Sequence, residues 1–255
     1  MTLKEILIAG KLTVSEGGGG GGGYTLEEVV EGNISGDIVY TGTKLRSCQF
    51  MGDVPITSFI GDSVVGFAND AVGSERAVWK GNAHIEEVSM ALYNVTSNAQ
   101  SMFYGCSSLK KLNLPSLSRL INGTISYCTS LQAVKFPSVI YVEAHSARNC
   151  TNLKAIDFSK NVHIAGGEAF LNDTALDTLV LRSNTVCPLE TINNFTGTPF
   201  ASGGAGGTLY VPSATISEYQ SANIWSTILS YANNQIKAIE GSIYENAYAD
   251  GTPIA

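Results

Sequence analysis

The chain has 255 residues, of which 44% are hydrophobic and 15% charged, and its formal net charge is −7 at pH 7. This size and composition are ordinary for a protein that buries a core, while the negative balance gives no basic patch for a nucleic-acid backbone. The sequence has no run of about eighteen apolar residues, which excludes an ordinary membrane-spanning helix. We therefore expect neither nucleic-acid binding nor membrane insertion.

Residues 1–45 are predicted to be an attachment segment and an N-terminal cap. The opening MTLKEILIAGKLTV is a poor signal peptide because Gly10 and Lys11 interrupt its short apolar stretch. We therefore expect a chain that is made in a host cytoplasm, without secretion, and that keeps its thiols reduced.

Seven consecutive glycines stand within this first segment. Such a run is typical of a flexible linker, and it is no phosphate loop because no Lys-Ser/Thr follows it. Glycine also lets backbones approach closely, so the alternative is an assembly contact with another chain. The run comprises Gly17, Gly18, Gly19, Gly20, Gly21, Gly22 and Gly23.

A pattern of aliphatic residues recurs along the middle of the chain, which we assign to residues 46–211. When its copies are aligned on Cys106, every copy has an aliphatic residue three positions downstream. The aligned residues are Asp53, Asn82, Cys106, Cys128, Cys150 and Asp173, and those three positions downstream are Ile56, Ile85, Leu109, Leu131, Leu153 and Leu176. A seventh, partial copy contains Phe200, Leu209 and Val211. A fixed period of this kind indicates a solenoid.

Each copy predicts one coil with a short parallel strand. Apolar and polar residues alternate in the second half of the L-x-x-L-x-L core, which is the period of a strand with one buried face. One coil cannot offset its own ordering entropy, so neighbouring coils must stack to form a continuous core. We expect about seven coils of 22–29 residues with irregular or short helical returns.

Residues 212–255 are predicted to be a C-terminal cap and tail. The segment from Pro212 to Ser230 is expected to be a helix with Ser213 as its N-cap and with Ile216, Tyr219 and Trp225 as apolar anchors. The segment around Ile236 is expected to be a closing strand. Caps of this kind cover the last coil of a solenoid.

The order aromatic-x-x-Cys-x-x-Leu-x-x-Leu-x-Leu-Pro resembles the BspA-type leucine-rich repeat over residues 46–240. The ending LYVPSATISEYQSANIW is similar to the closing segment of such proteins in gut bacteria and their phages. The resemblance implies a right-handed leucine-rich repeat solenoid used for adhesion and recognition. It implies no single ligand.

Cys106, Cys128 and Cys150 raise the question of a metal site or disulfides. Stacked coils would place them in a vertical row about 4.8 Å apart, which lacks the four converging ligands of tetrahedral zinc. A disulfide between adjacent coils is sterically feasible. Because Asp or Asn fills the same position in other copies, we favour buried thiols that hydrogen-bond a turn.

The sequence offers no catalytic constellation. Its three histidines, His84, His145 and His163, fall at different positions of the coil, and no nucleophile elbow, H-E-x-x-H motif or Walker A loop is present. We expect no enzyme activity and no cofactor. The charged residues instead predict cross-strand pairs, namely Glu86 with Lys110, Glu87 with Lys111, Lys135 with Asp157 and Lys154 with Asp177.

The favoured function is a non-enzymatic recognition or structural protein on a phage virion surface, either a fibre or a decoration protein. It would attach to other virion proteins through residues 1–45 and present the solenoid to a host surface glycan or protein. The alternatives are a bacterial cell-surface adhesin and, from another class, a carbohydrate-active enzyme. The sequence leaves homo-oligomerisation open. Because aromatic rings stack on sugars and anchor interfaces, the candidate binding residues are Tyr93, Tyr104, Tyr127 and Tyr141.

Overall fold

The computed structural model describes residues 12–14, 36–40, 44–45, 50–64, 66–67, 77–92 and 100–254. The glycine run Gly17–Gly23 lies outside these residues. Among the helices that are described, none has the length and apolar character needed to cross a bilayer.

Short strands recur throughout the described chain. In chain order they are β1 (Leu12–Val14), β2 (Gly36–Tyr40), β3 (Lys44–Leu45), β4 (Ile56–Gly61), β5 (Gly66–Phe67), β6 (Glu87–Met90), β7 (Lys111–Asn113), β8 (Arg119–Leu120), β9 (Ala133–Phe136), β10 (Tyr141–Val142), β11 (Ala155–Phe158), β12 (His163–Ile164), β13 (Thr178–Leu181), β14 (Thr208–Val211) and β15 (Gln235–Ala238). Two short helices, α1 (Ile216–Ser221) and α2 (Asn223–Ser230), separate the last two strands.

Strands of successive coils pair side by side. The sheets run in the orders β1-β2-β4-β6-β7, β9-β11-β13-β14-β15, β8-β10-β12 and β3-β5. Ile156 of β11 lies opposite Val134 of β9 and Leu179 of β13 in parallel ladders. The sequence alignment places these three residues in one column, so the register confirms the predicted leucine-rich repeat solenoid.

The core follows the aligned columns. Leu109, Leu131, Leu153 and Leu176 are fully buried in one continuous apolar cluster. Three positions before the aligned row, the Trp79 ring stacks between Phe50 and Phe103, with centroid distances of 5.5 and 5.0 Å. Each coil therefore covers the apolar face of its neighbour, as expected for coils that cannot offset their ordering entropy alone.

The thiols and amide of the aligned row hydrogen-bond the preceding coil. Cys106 Sγ donates to Trp79 O at 3.1 Å, and Asn82 Nδ2 donates to Phe50 O at 2.9 Å. Cys128 and Cys150 make the same bond one and two coils later. The predicted turn-bonding role of these cysteines is therefore confirmed. We call Asn82, Cys106, Cys128, Cys150 and Asp173 the donor row; Asp53, which the alignment also places there, is exposed instead.

The predicted charge pairs are confirmed at two of four places. Lys110 lies 2.8 Å from Glu86, and Lys111 lies 2.6 Å from Glu87. The other two pairs are neighbours in register, but they are not ion pairs in the described chain. Asp157 instead bonds Arg182 at 2.7 Å, because the C-terminal tail covers both side chains.

The predicted helix after Pro212 is two helices rather than one. A 3-10 turn at Ser213–Thr215 precedes α1, and extended backbone at Ala222 (ψ 131°) separates α1 from α2. Ser213 was expected to cap the helix and does not, since it starts the 3-10 turn and its N–H donates to Glu240 Oε2 at 2.9 Å.

The helices α1 and α2 hydrogen-bond to Cys187 at the C-terminal end of the solenoid. The Tyr219 hydroxyl accepts the Cys187 N–H at 2.9 Å, and Trp225 Nε1 donates to the Cys187 carbonyl at 2.7 Å. Both rings are buried, which confirms them as anchors. The strand β15 pairs in parallel with β14, as predicted for the segment around Ile236.

The C-terminal tail, residues 243–254, crosses the outer face of the second sheet. Arg182 donates to the carbonyls of Tyr244 and Ala247, both at 2.8 Å. Asp157 Oδ2 accepts the Ala249 N–H at 3.1 Å. The tail therefore buries strand residues whose side chains point away from the core.

Candidate functional site

A row of left-handed residues forms the tight turn before the donor row. Its members in successive coils are Gly52, Gly81, Gly105, Tyr127, Asn149 and Asn172, with φ between 60° and 75°. Glycine and asparagine tolerate this conformation, but for a residue such as tyrosine it costs about 1–2 kcal/mol. Tyr127 is therefore the strained member of the row.

Hydrogen bonds to the next coil fix these turns. The Tyr127 N–H donates to Arg148 O at 2.9 Å, and the Asn149 N–H donates to Leu171 O at 2.8 Å. Asn172 Nδ2 also reaches Asn149 Oδ1 at 3.4 Å. Hydrogen bonds between coils therefore hold the backbone that carries the Tyr127 and Asn149 side chains.

Tyr104 and Tyr127 lie together on this edge of the solenoid. Their ring centroids are 4.9 Å apart and tilted by 49°. The Arg148 guanidinium carbon lies 5.9 Å from the Tyr127 centroid, and Lys80 Nζ lies 5.8 Å from the Tyr104 centroid. All four residues are partly exposed. We call Lys80, Tyr104, Tyr127 and Arg148 the aromatic ridge.

The chemistry of the ridge suits recognition rather than catalysis. It has two aromatic rings and two cations, with the amide side chains of Asn149 and Asn172 continuing along the same edge, and none of these residues is a nucleophile or a general base at neutral pH. Arg148 Nε is buried without a hydrogen-bond partner in the described part of the chain.

Comparison with known proteins identifies the repeat. A family model for the BspA type leucine rich repeat region matches residues 76–194 in six copies. Residues 76–194 are a BspA-type leucine-rich repeat region. No curated protein and no solved structure matches the chain.

The family match bears on function at a coarse level. Leucine-rich repeats of this type suggest a role in protein interaction or recognition, and the family is generally non-enzymatic. The aromatic ridge, which runs from Lys80 to Arg148, falls entirely within the matched residues.

The four candidate tyrosines do not form one site. The structure brings Tyr104 and Tyr127 together on the ridge. Tyr141 lies in the β8-β10-β12 sheet, where Arg119 covers its ring at 4.6 Å and His163 contacts it edge-on at 5.1 Å. Tyr93 lies outside the described residues.

Two histidines of the described chain pair with glutamates. His145 Nε2 lies 2.9 Å from Glu168, and His163 Nε2 lies 2.9 Å from Glu190. Each belongs to a separate contact, and no group of three or more metal-ligating side chains converges among the residues described. These histidines act as surface partners of acidic side chains.

The sequence analysis missed Arg148 and Lys80 as members of the ridge. Both stand two positions before the donor row, in the same alignment column as Tyr104. Reading that column together with the next one, which holds Tyr127, would have shown that two cationic residues flank two aromatic residues along one edge.

Proposed function

We propose that this protein is a non-enzymatic recognition module that binds a surface glycan through the aromatic ridge. The observation that carries the proposal is Tyr127, which occupies a left-handed position where the flanking copies have Gly105 and Asn149. Residues held in costly backbone conformations cluster at functional sites. The solenoid gains no core packing from this partly exposed ring, so binding is the better reason for it.

The ligand class follows from the side chains. Aromatic faces stack on the apolar face of a sugar ring, while the guanidinium of Arg148 and the amide of Asn149 offer hydrogen-bond donors beside it. Their positions on one edge let a chain of sugars run across successive coils.

A Tyr127→Asn variant tests the proposal against a panel of immobilised oligosaccharides, followed by titration of those that bind. Asn is the residue of the next two copies, so we expect the free energy of unfolding to stay within about 1 kcal/mol of the wild type. Affinity should fall at least about tenfold, as for other aromatic anchors.

Tyr141→Ser is the matched control, because it removes a partly exposed tyrosine that lies in the β8-β10-β12 sheet, outside the ridge. It should leave binding unchanged. Equal affinity of Tyr127→Asn and the wild type, or equal losses in both variants, would refute the ridge as the site.

The proposed setting is the surface of a phage virion, with residues 1–45 attached to other virion proteins. Its support is the recognition role that the repeat suggests. Mass spectrometry of purified particles should detect the chain in stoichiometric amounts. Its recovery in a bacterial envelope fraction instead would favour a cell-surface adhesin.

A further inference from the structure

Backbone hydrogen bonds join each coil to the next and form a ladder, and one bond of this ladder is missing. Along one column, Lys110 N–H donates to Glu86 O at 2.8 Å, and Lys154 N–H donates to Gln132 O at 2.7 Å. The intervening bond, from Gln132 N–H to Lys110 O, is absent, and the sheet is interrupted between β7 and β9. Among the described residues, neither main-chain group has a hydrogen-bond partner.

A groove of about 730 Å³ lies at this interruption. Lys110 and Gln132 line one side, and residues 249–252 of the tail line the opposite side. The amide of Asn113 and the hydroxyl of Ser130 also line it. The groove therefore presents polar groups from two coils and from the tail.

Lys135 gives the groove a positive charge without an ion-pair partner. Its ammonium lies 4.6 Å from the centroid of Tyr248, and its neighbour in register, Asp157, is bonded to Arg182. The described residues place no carboxylate within ion-pair distance of Lys135. Asp250, across the groove, uses Oδ1 to accept the Thr252 N–H at 2.9 Å within the turn of the tail.

The other two lysines of the groove have ion-pair partners. Lys110 and Lys111 pair with Glu86 and Glu87. Asp250 is the one carboxylate that lines the groove, and the described residues place it in no ion pair with Lys135. Lys135 is therefore a local cationic site for one anionic group, and the groove as a whole does not suit a polyanion.

We propose that this groove binds an acidic glycan, with a carboxylate or sulfate of the sugar on Lys135. A sugar hydroxyl both donates and accepts hydrogen bonds, so one hydroxyl can accept from Gln132 N–H and donate to Lys110 O. This hydroxyl would take the place of the missing hydrogen bond in the ladder. This site is separate from the aromatic ridge and does not depend on it.

The test titrates the full chain with an oligogalacturonate, a sulfated malto-oligosaccharide and a neutral malto-oligosaccharide of equal length. Lys135→Gln should weaken binding of an acidic ligand roughly tenfold, as expected for loss of a charge-assisted bond. Lys135→Arg keeps the charge and should bind within about twofold of the wild type. The first two ligands distinguish a carboxylate from a sulfate as the anionic group.

Lys154→Gln is the matched control, since Lys154 is an exposed lysine of the next coil outside the groove. It should bind like the wild type. Equal affinity of Lys135→Gln and the wild type for both acidic ligands, or equal affinity of the wild type for acidic and neutral ligands, would overturn the proposal.

Amide hydrogen exchange gives a second readout that does not depend on variants. Binding should slow exchange at the Gln132 N–H, because a ligand hydroxyl would then accept from it. Protection that is confined to the ridge, with binding lost in Tyr127→Asn and kept in Lys135→Gln, would assign acidic glycans to the ridge and refute the groove.

Discussion

The donor row shows how one hydrogen bond can be made by two residue types, cysteine and asparagine. The thiols of Cys106, Cys128 and Cys150 stay protonated because burial raises their pKa, in the case of Cys106 to about 12. A protonated thiol can donate, as the Asn82 amide does one coil earlier. The position therefore requires a small buried donor rather than a particular chemistry.

Asp173 is the member of the row that cannot donate when ionised. Its Oδ1 accepts the Cys150 N–H at 2.6 Å, while Oδ2 is buried without a partner. By its place in the row, Oδ2 corresponds to the atom that donates to the preceding coil, where the Ala147 carbonyl accepts no hydrogen bond from the described residues. A proton on Oδ2 would satisfy both oxygens.

Burial raises the pKa of Asp173 well above its ordinary value, and the bond from Cys150 opposes this only in part. The groups nearest it are the neutral thiols of Cys150 and Cys128. Since the folded state then holds a proton that the unfolded state has lost, stability is greatest below the unfolded pKa and falls as pH rises towards the folded pKa.

Asp173→Asn is predicted to stabilise the protein at pH 7. The Asn amide donates without a proton equilibrium, whereas the Asp173 carboxyl must take up a proton on folding at pH 7. Each pH unit above the unfolded pKa costs the wild type about 1.4 kcal/mol while the folded group stays protonated, so the variant should gain about 1–3 kcal/mol. The difference from the wild type should shrink towards pH 4. Urea unfolding followed by circular dichroism at both pH values measures it.

Asp177→Asn is the control for Asp173→Asn, because Asp177 is an exposed aspartate of the same coil. It should change stability by less than about 0.5 kcal/mol. An Asp173→Asn variant that is less stable than the wild type at pH 7 would show that the carboxylate is ionised and paired in the folded state.

At the scale of one coil, stability depends on the aliphatic column. Leu131 is fully buried between Leu109 and Leu153 of the neighbouring coils. Leu131→Ala is predicted to cost about 2–5 kcal/mol, as a cavity in a packed core does. Thermal and urea unfolding should both report the loss.

Lys110→Ala provides the comparison on the exposed surface of the neighbouring coil. Its ion pair with Glu86 joins side chains that are 56% and 44% exposed, and exposed pairs contribute less than about 1 kcal/mol. A loss as large as that of Leu131→Ala would show that the outer charge pairs, rather than the core column, hold the coils together.

The strands could be predicted because the aliphatic spacing of a solenoid is local and repeated. Leu109, Leu131 and Leu153 each occupy the same place in a copy, so alignment alone gives their contacts. The end of the chain lacks such repetition. The break at Ala222 and the failure of Ser213 as a cap depend on how α1 and α2 meet Cys187, which no local pattern encodes.

The candidate site was predicted in part for the same reason. Tyr104 and Tyr127 were identified as exposed aromatics of the central coils, but the left-handed backbone of Tyr127 follows from the turn geometry that stacking imposes. The groove was missed because its far side is the tail, whose bond from Ala249 to Asp157 spans 92 residues.

At the scale of the whole molecule, the tail covers part of the outer face of the second sheet and buries side chains that point away from the core. Asp157 lies between Ile156 and Phe158, which face the core, so its own side chain points outward. It is nevertheless fully buried, and burial raises its pKa while Arg182 opposes that shift. The tail is therefore attached to the solenoid through a buried ion pair.

Arg182→Gln is predicted to release the tail. Removing one partner of a buried pair costs about 3–5 kcal/mol when the other charge stays buried, and opening the tail avoids this cost by returning Asp157 to water. Exchange of the Ala249 N–H should then be at least about tenfold faster, while amides of the core strand β11 keep their protection. Adding Asp157→Asn to Arg182→Gln removes the uncompensated charge and should slow Ala249 exchange again. Unchanged Ala249 exchange in Arg182→Gln would show that the contacts of Tyr244 and Tyr248, rather than the ion pair, hold the tail in place.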